Sequence, residues 1–457
     1  MLRSTHPVEL TRGSLRRNIM VFSLPLILSN LLQVLFNMSD VAVVGRFDGA
    51  TALGSVGSCS VFCTLFAGLM IGLGGGINAI AARQAGAHDL QSLRRTVHSA
   101  LIVSLTYGAV IMTVGLLGAR TVLTWLGTKE ELFDGALLYM RVYLIGMPAL
   151  ALYNYGNAVL SSEGDVHRPL LYLSAAGVVN ILLNLFFVIV CHLGVLGVAL
   201  ASVISLYFSA ALVLFRLFTC KEEYGLCADE LHLDREAART VLAIGIPAAL
   251  QNAIFAVANL FVQSAVNSFD TVIVEGNAAA ANADGLIYDM MAAFYAACTT
   301  FMAQNYGAGK KERVLQSYFI SLFYSFLFAA VGSGLLFGCG RSFLALFTED
   351  PAVAEAGMKR LSIMAFSYPF SAFMDCTIAA SRGLGKTVVP TVLVILGSCV
   401  FRVIWVYTVF AYFRTIPSLY LLYLFSWAIT AIFEIVYFVR LYRRIFPRRL
   451  CCSDTER

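Results

Sequence analysis

Long apolar stretches, separated by short polar segments, run along almost the whole chain. Many reach about 20 residues, the length of α-helix that crosses the hydrocarbon core of a bilayer. Only helices and closed barrels satisfy their backbone groups inside lipid, so the pattern predicts an all-α integral membrane protein. Twelve transmembrane helices are predicted, at residues 18–44, 51–82, 97–118, 134–161, 168–190, 194–217, 239–268, 276–304, 314–338, 353–381, 388–412 and 418–446.

The composition agrees with a membrane protein. The chain has 457 residues, of which 59% are hydrophobic and only 13% are charged, whereas a soluble chain carries about 25% charge. So few charges cannot cover a soluble globule of this size, and disorder requires low hydrophobicity and high charge. The formal net charge of +5 is small, so we expect the lipid bilayer as a partner and no nucleic acid.

The charges of the loops orient the helices. With twelve helices, 23 Lys and Arg residues fall on the side that the two termini share, 5 fall on the opposite side, and 4 lie in or at the ends of helices. Cytoplasmic loops carry an excess of Lys and Arg. The asymmetry predicts a multi-pass protein of the plasma or inner membrane with both termini in the cytoplasm. The first helix is too long for a signal peptide and has no small-residue cleavage site, so we expect it to be retained.

The chain also repeats itself after 221 or 222 residues. Six helices, an even number, separate equivalent points, so the two halves share one orientation and are related by an axis along the membrane normal. This arrangement favours a transporter with its substrate path between the halves, although duplication alone could build a scaffold. The predicted units are an N-terminal segment 1–17, an N-half 18–217, a linker 218–238, a C-half 239–446 and a tail 447–457. The matching pairs include Pro25 with Pro247, Asn37 with Asn259, Gly86 with Gly307, and Pro148 with Pro369.

Polar residues inside the first and fifth helices predict an ion site in the N-half. Ionisable residues in a membrane usually face the protein interior or water and mark functional sites. In the fifth helix, Asn180 and Asn184 lie one turn apart; their amide oxygens could bind Na⁺ or hydrogen-bond between helices. The first helix carries Asp40 as its only charge, which could also be structural. Its polar residues, spaced three, four and three apart on one face, are Asn30, Gln33, Asn37 and Asp40.

The C-half mirrors this pattern only in part. Val262 stands at the position equivalent to Asp40, so the carboxylate is not duplicated. We expect Asp289 and Asp375 either to attract a cation to the cavity or to pair with Arg402, and we expect Arg402 to pair with a carboxylate. Further intramembrane polar residues of this half are Gln251, Asn252, Asn259, Gln263, Asn267, Asp284 and Glu434.

Proline and glycine positions indicate bends and close helix contacts. Pro25 and Pro247 lie inside the first helix of each half, where each removes a backbone hydrogen bond and permits a kink. The bend in the first helix could gate the region around Asp40 or be a fixed kink. The glycine-rich run at residues 68–76 predicts a close backbone approach in the second helix.

The sequence carries no constellation of catalytic residues. It lacks HExxH, GxSxG and P-loop motifs, so we expect no enzymatic activity and no cofactor. The eleven cysteines are scattered, mostly in apolar runs, and predict buried thiols rather than a metal centre. Without a nucleotide-binding domain, transport must draw on an ion gradient, of Na⁺ or H⁺, or on a separate partner.

Several segments that flank the helices resemble those of the multidrug and toxic compound extrusion (MATE) transporters, over residues 15–446. The resemblance implies a V-shaped pair of six-helix lobes that alternates between outward-open and inward-open states. It also implies export of organic cations against Na⁺ or H⁺ influx, and we expect the monomer to function. The segments are SDVAVVGRFDGATALGSVG after the first helix, QAGAHD, SSEGDVHRP, GVLGVALASVIS, QNYGAGKKE and SRGLGKTVVP.

The resemblance also assigns expected roles. Asp40 falls on the first-helix aspartate that many bacterial and archaeal members use for ion coupling, and Asn180 on the asparagine of the N-lobe cation site. Ser202 falls where a threonine often contributes an oxygen. Asn184 falls where several members have a second carboxylate, a departure that lowers the charge of the site. Phe255 lies where some members have a seventh-helix glutamate, so no ion site is expected in the second lobe.

Two sets of residues are therefore predicted, with two alternatives for the function. A lipid-linked precursor or polysaccharide flippase of the related superfamily would have a basic cavity and often fourteen helices, and a receptor or scaffold would transport nothing. The ion-coupling set is Asp40, Asn180, Asn184, Ser202 and Asn37. The substrate-cavity set is Gln33, Asn37, Asn259, Gln263, Asp289 and Asp375.

Overall fold

The computed structural model describes residues 7–447, which are almost entirely helical and contain no strand. The outer parts of the predicted terminal segments, residues 1–6 and 448–457, lie outside this range. The helices are α1 Leu15–Phe47, α2 Gly49–Gly86, α3 Leu90–Trp125, α4 Glu130–Ile145 with Met147–Ser162, α5 His167–Val190, α6 Gly194–Thr219, α7 Arg235–Val266, α8 Thr271–Gly307, α9 Lys311–Leu344, α10 Pro351–Gly383, α11 Val388–Phe413 and α12 Ile416–Ile445.

The predicted number of membrane spans is confirmed. Within residues 7–447, eleven helices are individually long and apolar enough to cross a membrane, and the two parts of α4 form a twelfth span with a bend of 44°. The bend falls at Gly146, and Pro148 lies in the first turn of the second part. Proline cannot donate a backbone hydrogen bond, which limits how a helix can continue through it.

Several helices are longer than their apolar stretches predict. α3 begins at Leu90 rather than at residue 97, because Asp89 caps it by accepting a hydrogen bond from the backbone N–H of Ser92 at 3.1 Å. Hydropathy marks only the part of a helix that lies in lipid. Caps and charged residues extend the helix into water.

The duplication is visible in the local irregularities of the helices. α5 ends in a π-helical segment, Phe186–Val190, and α11 contains one at the matching place, Val406–Phe410, as well as another at Ile395–Val400. Short π-helical segments inside α-helices often mark functional sites. In α5 the segment begins two residues after the predicted ion-site residue Asn184.

Glycines of α2 allow the two halves to touch backbone to backbone. A Cβ atom on Gly72 would lie 2.4 Å from backbone atoms of Ala249 in α7, and one on Gly76 would lie 2.7 Å from Gly245. Real Cβ atoms do not approach so closely, so only glycine fits at these positions. The close approach predicted from the run at residues 68–76 is confirmed.

Hydrogen bonds join the halves from the middle of the bundle to one of its ends. We call this end of the bundle the basic end. It is the end at which the even-numbered helices, α2 to α12, finish. Asn78 accepts a bond from Thr300 at 2.8 Å, and the Gln304 amide donates to the Ser162 carbonyl at 3.0 Å. Within residues 7–447, every hydrogen bond between the halves lies from mid-helix to this end.

A titratable carboxyl lies at this junction. Glu163 follows α4 next to Gly164, whose carbonyl accepts a bond from the backbone N–H of Val8 at 3.0 Å. Burial raises the pKa of Glu163 to about 7, and the carboxylate of Glu222 in the linker acts in the same direction. A raised carboxyl pKa means that this group favours the folded state most at low pH. Its contribution is lost as the pH rises through about 7.

We therefore expect Glu163→Gln, which stays neutral, to stabilise the protein above pH 7 by about 1–2 kcal/mol, allowing for partial exposure. The difference should shrink near pH 4.5, where the native carboxyl is also protonated. Thermal unfolding in detergent at pH 8 and pH 4.5 measures both values. Glu223→Gln, at an exposed carboxylate of the linker, is the control for removing a carboxylate nearby. An equal gain at both pH values would contradict the titration of Glu163.

Candidate ion-coupling site

A close contact between α1 and α5 positions the predicted carboxylate. A Cβ atom on Gly177 would lie 1.8 Å from the ring of Phe36, so the absence of a side chain at Gly177 lets the two helices meet. Asp40 lies one turn beyond Phe36 on α1, and Asn180 lies about one turn beyond Gly177 on α5. The same packing therefore brings the carboxylate to the asparagines.

Four of the predicted ion-coupling residues form one buried cluster. The amide Nδ2 of Asn184 donates to Oδ1 of Asp40 at 2.5 Å and to Oδ1 of Asn180 at 3.2 Å. The hydroxyl of Ser202, on α6, donates to Oδ2 of Asp40 at 2.9 Å. All four side chains are buried. Each carboxylate oxygen thus has one neutral donor, and three helices converge on the same group.

The cluster has no cationic side chain of its own. Among residues 7–447, no Lys, Arg or His lies within 4 Å of the Asp40 carboxylate. An ionised carboxylate without a counter-charge is costly to bury, and two neutral donors offset only part of that cost. The arrangement is therefore suited to a group that takes up a proton or a small cation.

The Asn184 amide is only partly satisfied. Its nitrogen makes both bonds described above, whereas its Oδ1 is buried and has no hydrogen-bond partner among the described residues. Buried polar atoms without partners are rare in proteins and need an explanation. Here the oxygen belongs to the same cluster as the Asp40 carboxylate. A water molecule or a cation bound in the cluster could interact with it.

The other predicted residues of α1 lie outside this cluster. Gln33 and Asn37 are exposed, and neither makes a hydrogen bond with a described residue. Asn30 instead donates to the backbone carbonyl of Asp289 at 2.8 Å and so ties α1 to α8. The polar stripe of α1 therefore divides into a contact between the halves, two exposed amides and the buried carboxylate.

In the C-half, the predicted cavity residues do not form one cluster. Asn259 is exposed and accepts a bond from Arg402 at 2.9 Å, and Gln263 donates to Asn267 of its own helix at 2.9 Å. Asp289 and Asp375 are half-buried, on α8 and α10. Their roles in a cavity stay a prediction.

The expected carboxylate partner of Arg402 is absent, so that prediction was wrong. Among the described residues no carboxylate lies within 4 Å of its guanidinium. Besides Asn259, the group faces the rings of Phe255, Tyr423 and Trp427, with centroids 5.1, 4.5 and 5.8 Å from Cζ. Aromatic faces attract a desolvated cation, so they stabilise the buried charge without a counter-ion.

The sequence did not reveal the ion pair that does form in the C-half. Arg360 of α10 pairs with Asp284 of α8, and Tyr368 also donates to that carboxylate. The two charged residues lie 76 positions apart in the chain. Only the contact between the two helices, which the sequence does not specify, identifies them as partners.

The two prolines lie inside continuous helices. Pro25 is buried within α1, and Pro247 is half-buried within α7. Pro247 is adjacent to Ala248 and Ala249, which meet Gly72 in the contact between α2 and α7. A gating role for either proline stays a prediction.

Removal of the Ser202 hydroxyl tests the cluster. A hydrogen bond to a charged group contributes about 1.5–3 kcal/mol, so Ser202→Ala should slow the ion-coupled export that the sequence predicts by roughly 10-fold without abolishing it. Initial rates of substrate efflux from liposomes measure the effect. Ser205→Ala is a matched control, because the Ser205 hydroxyl is also buried in α6 but donates to its own helix, to the carbonyl of Ala201. Equal rates for both variants would show that the Ser202 bond has no role in transport.

Comparison with known proteins identifies the family. The MatE family model matches residues 25–186 and again residues 247–408. The chain belongs to the MatE family. The two matched segments begin 222 residues apart, in agreement with the internal repeat. The resemblance inferred from the loop motifs and the fold of two parallel six-helix repeats are thus confirmed.

Individual relatives of this MatE protein cover most of its length. It is 26% identical over 79% of its chain to a probable multidrug resistance protein, YpnP, of Bacillus subtilis, of which it covers 81%. It is 23% identical over 74% of its chain to an FAD transporter of Shewanella oneidensis, of which it covers 76%. A solved structure described as the outward-facing conformation of a MATE transporter superimposes with a TM-score of 0.88, at 23% identity, over 97% of this chain and 99% of that one.

These matches establish the broad class of the protein. It is a multi-pass membrane protein of a multidrug efflux transporter family, whose members are transporters rather than enzymes. Small-molecule substrates follow from the relatives.

Proposed function

We propose that this MatE protein is a secondary transporter that exports organic cations in exchange for protons, with Asp40 as the coupling residue. One observation carries the proposal. Asp40 is a buried carboxylate that has two neutral donors, Asn184 and Ser202, and no cationic partner among the described residues. Such a group changes its charge when it gains or loses a proton, and so favours different conformations in the two states.

The arrangement of the halves supports alternating access. They are bonded at the basic end and unbonded, within residues 7–447, at the opposite end. Because basic loops are typically cytoplasmic, the basic end faces the cytoplasm, as do both termini, and the protein lies in the plasma or inner membrane. The described conformation is then the one that opens outward. Protonation of Asp40 from outside would favour release of the substrate and return to the inward-open state.

The chemistry of the cluster favours H⁺ over Na⁺. Sodium is bound by several oxygen ligands, whereas this cluster has one carboxylate and Asn184 directs its nitrogen, not its oxygen, to Asp40 and Asn180. That orientation serves a carboxylate that exchanges a proton. A Na⁺ site would require the amide to turn, and it is the other outcome of the experiment below.

Carboxylates in the C-half support a cationic substrate. Asp289 and Asp375 are half-buried near the middle of α8 and in α10, and the exposed amides of Gln33 and Asn37 lie on α1. We propose that these groups, with Asn259 and Gln263 of α7, line the substrate path between the halves. The monomer contains all of them.

A second substrate class has support of its own. The aromatic surroundings of Arg402 leave its charge without a carboxylate within 4 Å among the described residues, and one relative is an FAD transporter. A guanidinium beside aromatic rings suits an anionic aromatic compound. The proposal of an organic cation ranks first because Arg402 is buried, whereas the carboxylates are partly accessible.

Reconstitution of the purified protein into liposomes tests the proposal. A cationic dye is loaded, and its efflux is followed under an imposed pH gradient and, separately, under an imposed Na⁺ gradient at equal pH. We expect the pH gradient alone to drive efflux. Movement under Na⁺ alone would assign the other coupling ion. Movement of FAD but not of the dye would overturn the proposed substrate class, and the absence of any driven flux would overturn the transport proposal.

A further inference from the structure

A second buried carboxyl lies in the C-half, away from Asp40. Glu434 of α12 is fully buried, and neither of its carboxyl oxygens has a hydrogen-bond partner among the described residues. It lies 11 residues before the end of the helix at Ile445, or about 16 Å from the basic end. The side chain is therefore inside the membrane-spanning part of the protein.

The residues one helical turn before and after Glu434 pack against neighbouring helices. One turn earlier on α12, the hydroxyl of Thr430 bonds to Ser398 of α11 at 3.0 Å. One turn later, the ring of Phe438 packs on Tyr318 of α9 with centroids 4.8 Å apart. The carboxyl is buried from water, and the Thr430 hydroxyl is engaged with Ser398 rather than with Glu434.

The charged groups around Glu434 do not neutralise it. From α10, Asp375 is the charged residue that acts on it, and this group is itself acidic. Oδ2 of Asp375 is also buried without a partner among the described residues. Among residues 7–447, no Lys, Arg or His lies within 4 Å of the Glu434 carboxyl, and the cations of the region, Arg382 of α10 and Arg402 of α11, lie near Asp375. The remaining titratable neighbour on α12 is Tyr437.

An anionic Glu434 is therefore unfavourable. Burial of an ionised carboxylate without donors costs far more free energy than protonation does, and two neighbouring carboxylates resist ionising together. A bound metal cation does not remove the difficulty, because the described residues contain no group of three or more acidic, His or Cys side chains that could hold one. The ligand that this geometry accepts is a proton.

We propose that Glu434 is a second proton-binding residue of the transport cycle, in the half of the protein that lacks a counterpart of Asp40. It holds its proton while the halves are joined at the basic end and releases it when α12 moves relative to α10 and water reaches the carboxyl. A buried carboxyl without hydrogen-bond partners destabilises the fold compared with an apolar residue, and a role in binding and releasing a proton explains why one is present here. The inference rests on the proposed proton coupling and adds a second proton to it.

The number of exchanged protons tests this role. In liposomes with the membrane potential clamped to zero, the dye gradient that a pH gradient sustains at equilibrium depends on the number of protons per dye molecule. We expect Glu434→Gln to lower the slope of the logarithm of the dye ratio against ΔpH by one, which corresponds to one proton fewer per dye molecule. Glu349→Gln, at an exposed residue of the same half, should leave the slope unchanged. An unchanged slope in Glu434→Gln would overturn the proposal.

A second measurement tests the protonated state that the proposal requires, and it applies also if Glu434→Gln does not transport. Infrared spectroscopy of the purified protein detects the carbonyl stretch of protonated carboxylic acids. We expect Glu434→Gln to lose one such band relative to the native protein, and an unaltered spectrum would overturn the proposal. Failure of the proton-coupling proposal itself is distinguishable, because the native protein would then show no dye movement under a pH gradient.

Discussion

Replacement of Asp40 by asparagine should abolish export driven by an ion gradient and leave the protein folded. Asparagine has nearly the same shape and can still accept the hydrogen bond from Ser202, so the packing of α1 on α5 and α6 is retained. It cannot bind or release a proton, however. Without a change of charge at this residue, the ion no longer binds one conformation more tightly than the other. Its gradient therefore cannot shift the equilibrium between them.

The expected loss is at least about 10-fold in gradient-driven efflux, because even a modest coupling free energy of about 1.4 kcal/mol corresponds to that factor. Dye efflux from liposomes under a pH gradient measures it, and binding of the dye to detergent-solubilised protein shows whether the cavity remains intact. Asp134→Asn is the matched control, since Asp134 is an exposed aspartate of the same half. Normal export by Asp40→Asn would exclude this residue as the coupling group.

Part of this cluster could be predicted from the sequence because the evidence for it is local. The spacing of polar residues placed Asp40 on one face of α1 and paired Asn180 with Asn184 on α5. Ser202 came from the family resemblance. The sequence could not show that these side chains touch, because Asp40 and Ser202 are separated by 162 residues and meet only through the packing of three helices.

The prediction for Arg402 failed for a physical reason that concerns all buried charges. A sequence shows which charges are present, but the cost of burying one depends on everything that surrounds it. Three aromatic rings and one amide suffice for Arg402, whereas Arg360 pairs with Asp284. The charges of two buried arginines in the same half are thus stabilised in different ways, and only the arrangement of the helices distinguishes them.

More of the fold than of the site could be predicted from the sequence. Apolar length gave the number of spans, and an even repeat gave the parallel orientation of the halves. The sequence did not give the conformation, because the same helices pack differently in each state of an alternating transporter. That choice depends on a few contacts between the halves, and glycines make the closest of them.

Substitution of Gly86 tests which contact closes the basic end. A Cβ atom on Gly86 would lie 1.9 Å from the carbonyl oxygen of Gln304, and one on Gly307 would lie 1.9 Å from the carbonyl oxygen of Arg83. Gly86 and Gly307 are equivalent by the repeat, so α2 and α8 cross at the axis that relates the halves. Both obstacles are backbone atoms, which cannot rotate away as a side chain can.

We therefore expect Gly86→Ala to destabilise the closed basic end by about 1–3 kcal/mol, the usual cost of overpacking. Because the two states of such a transporter differ by only a few kcal/mol, the population should shift towards the form that is open at this end. Spin labels at two exposed sites on opposite halves, Gln91 and Glu312, report the change as a longer distance in pulsed electron resonance. The repeat predicts the same result for Gly307→Ala.

A glycine with free space around it supplies the control. Gly285 lies on the same helix as Gly307, but a Cβ atom added there would meet no neighbouring atom within 4 Å, so Gly285→Ala should leave the distance between the labels unchanged. If Gly86→Ala also left it unchanged, the crossing of α2 and α8 would not hold the halves together. The closure would then rest on the side-chain bonds of Asn78 with Thr300 and of Gln304 with Ser162, which the alanine does not remove directly.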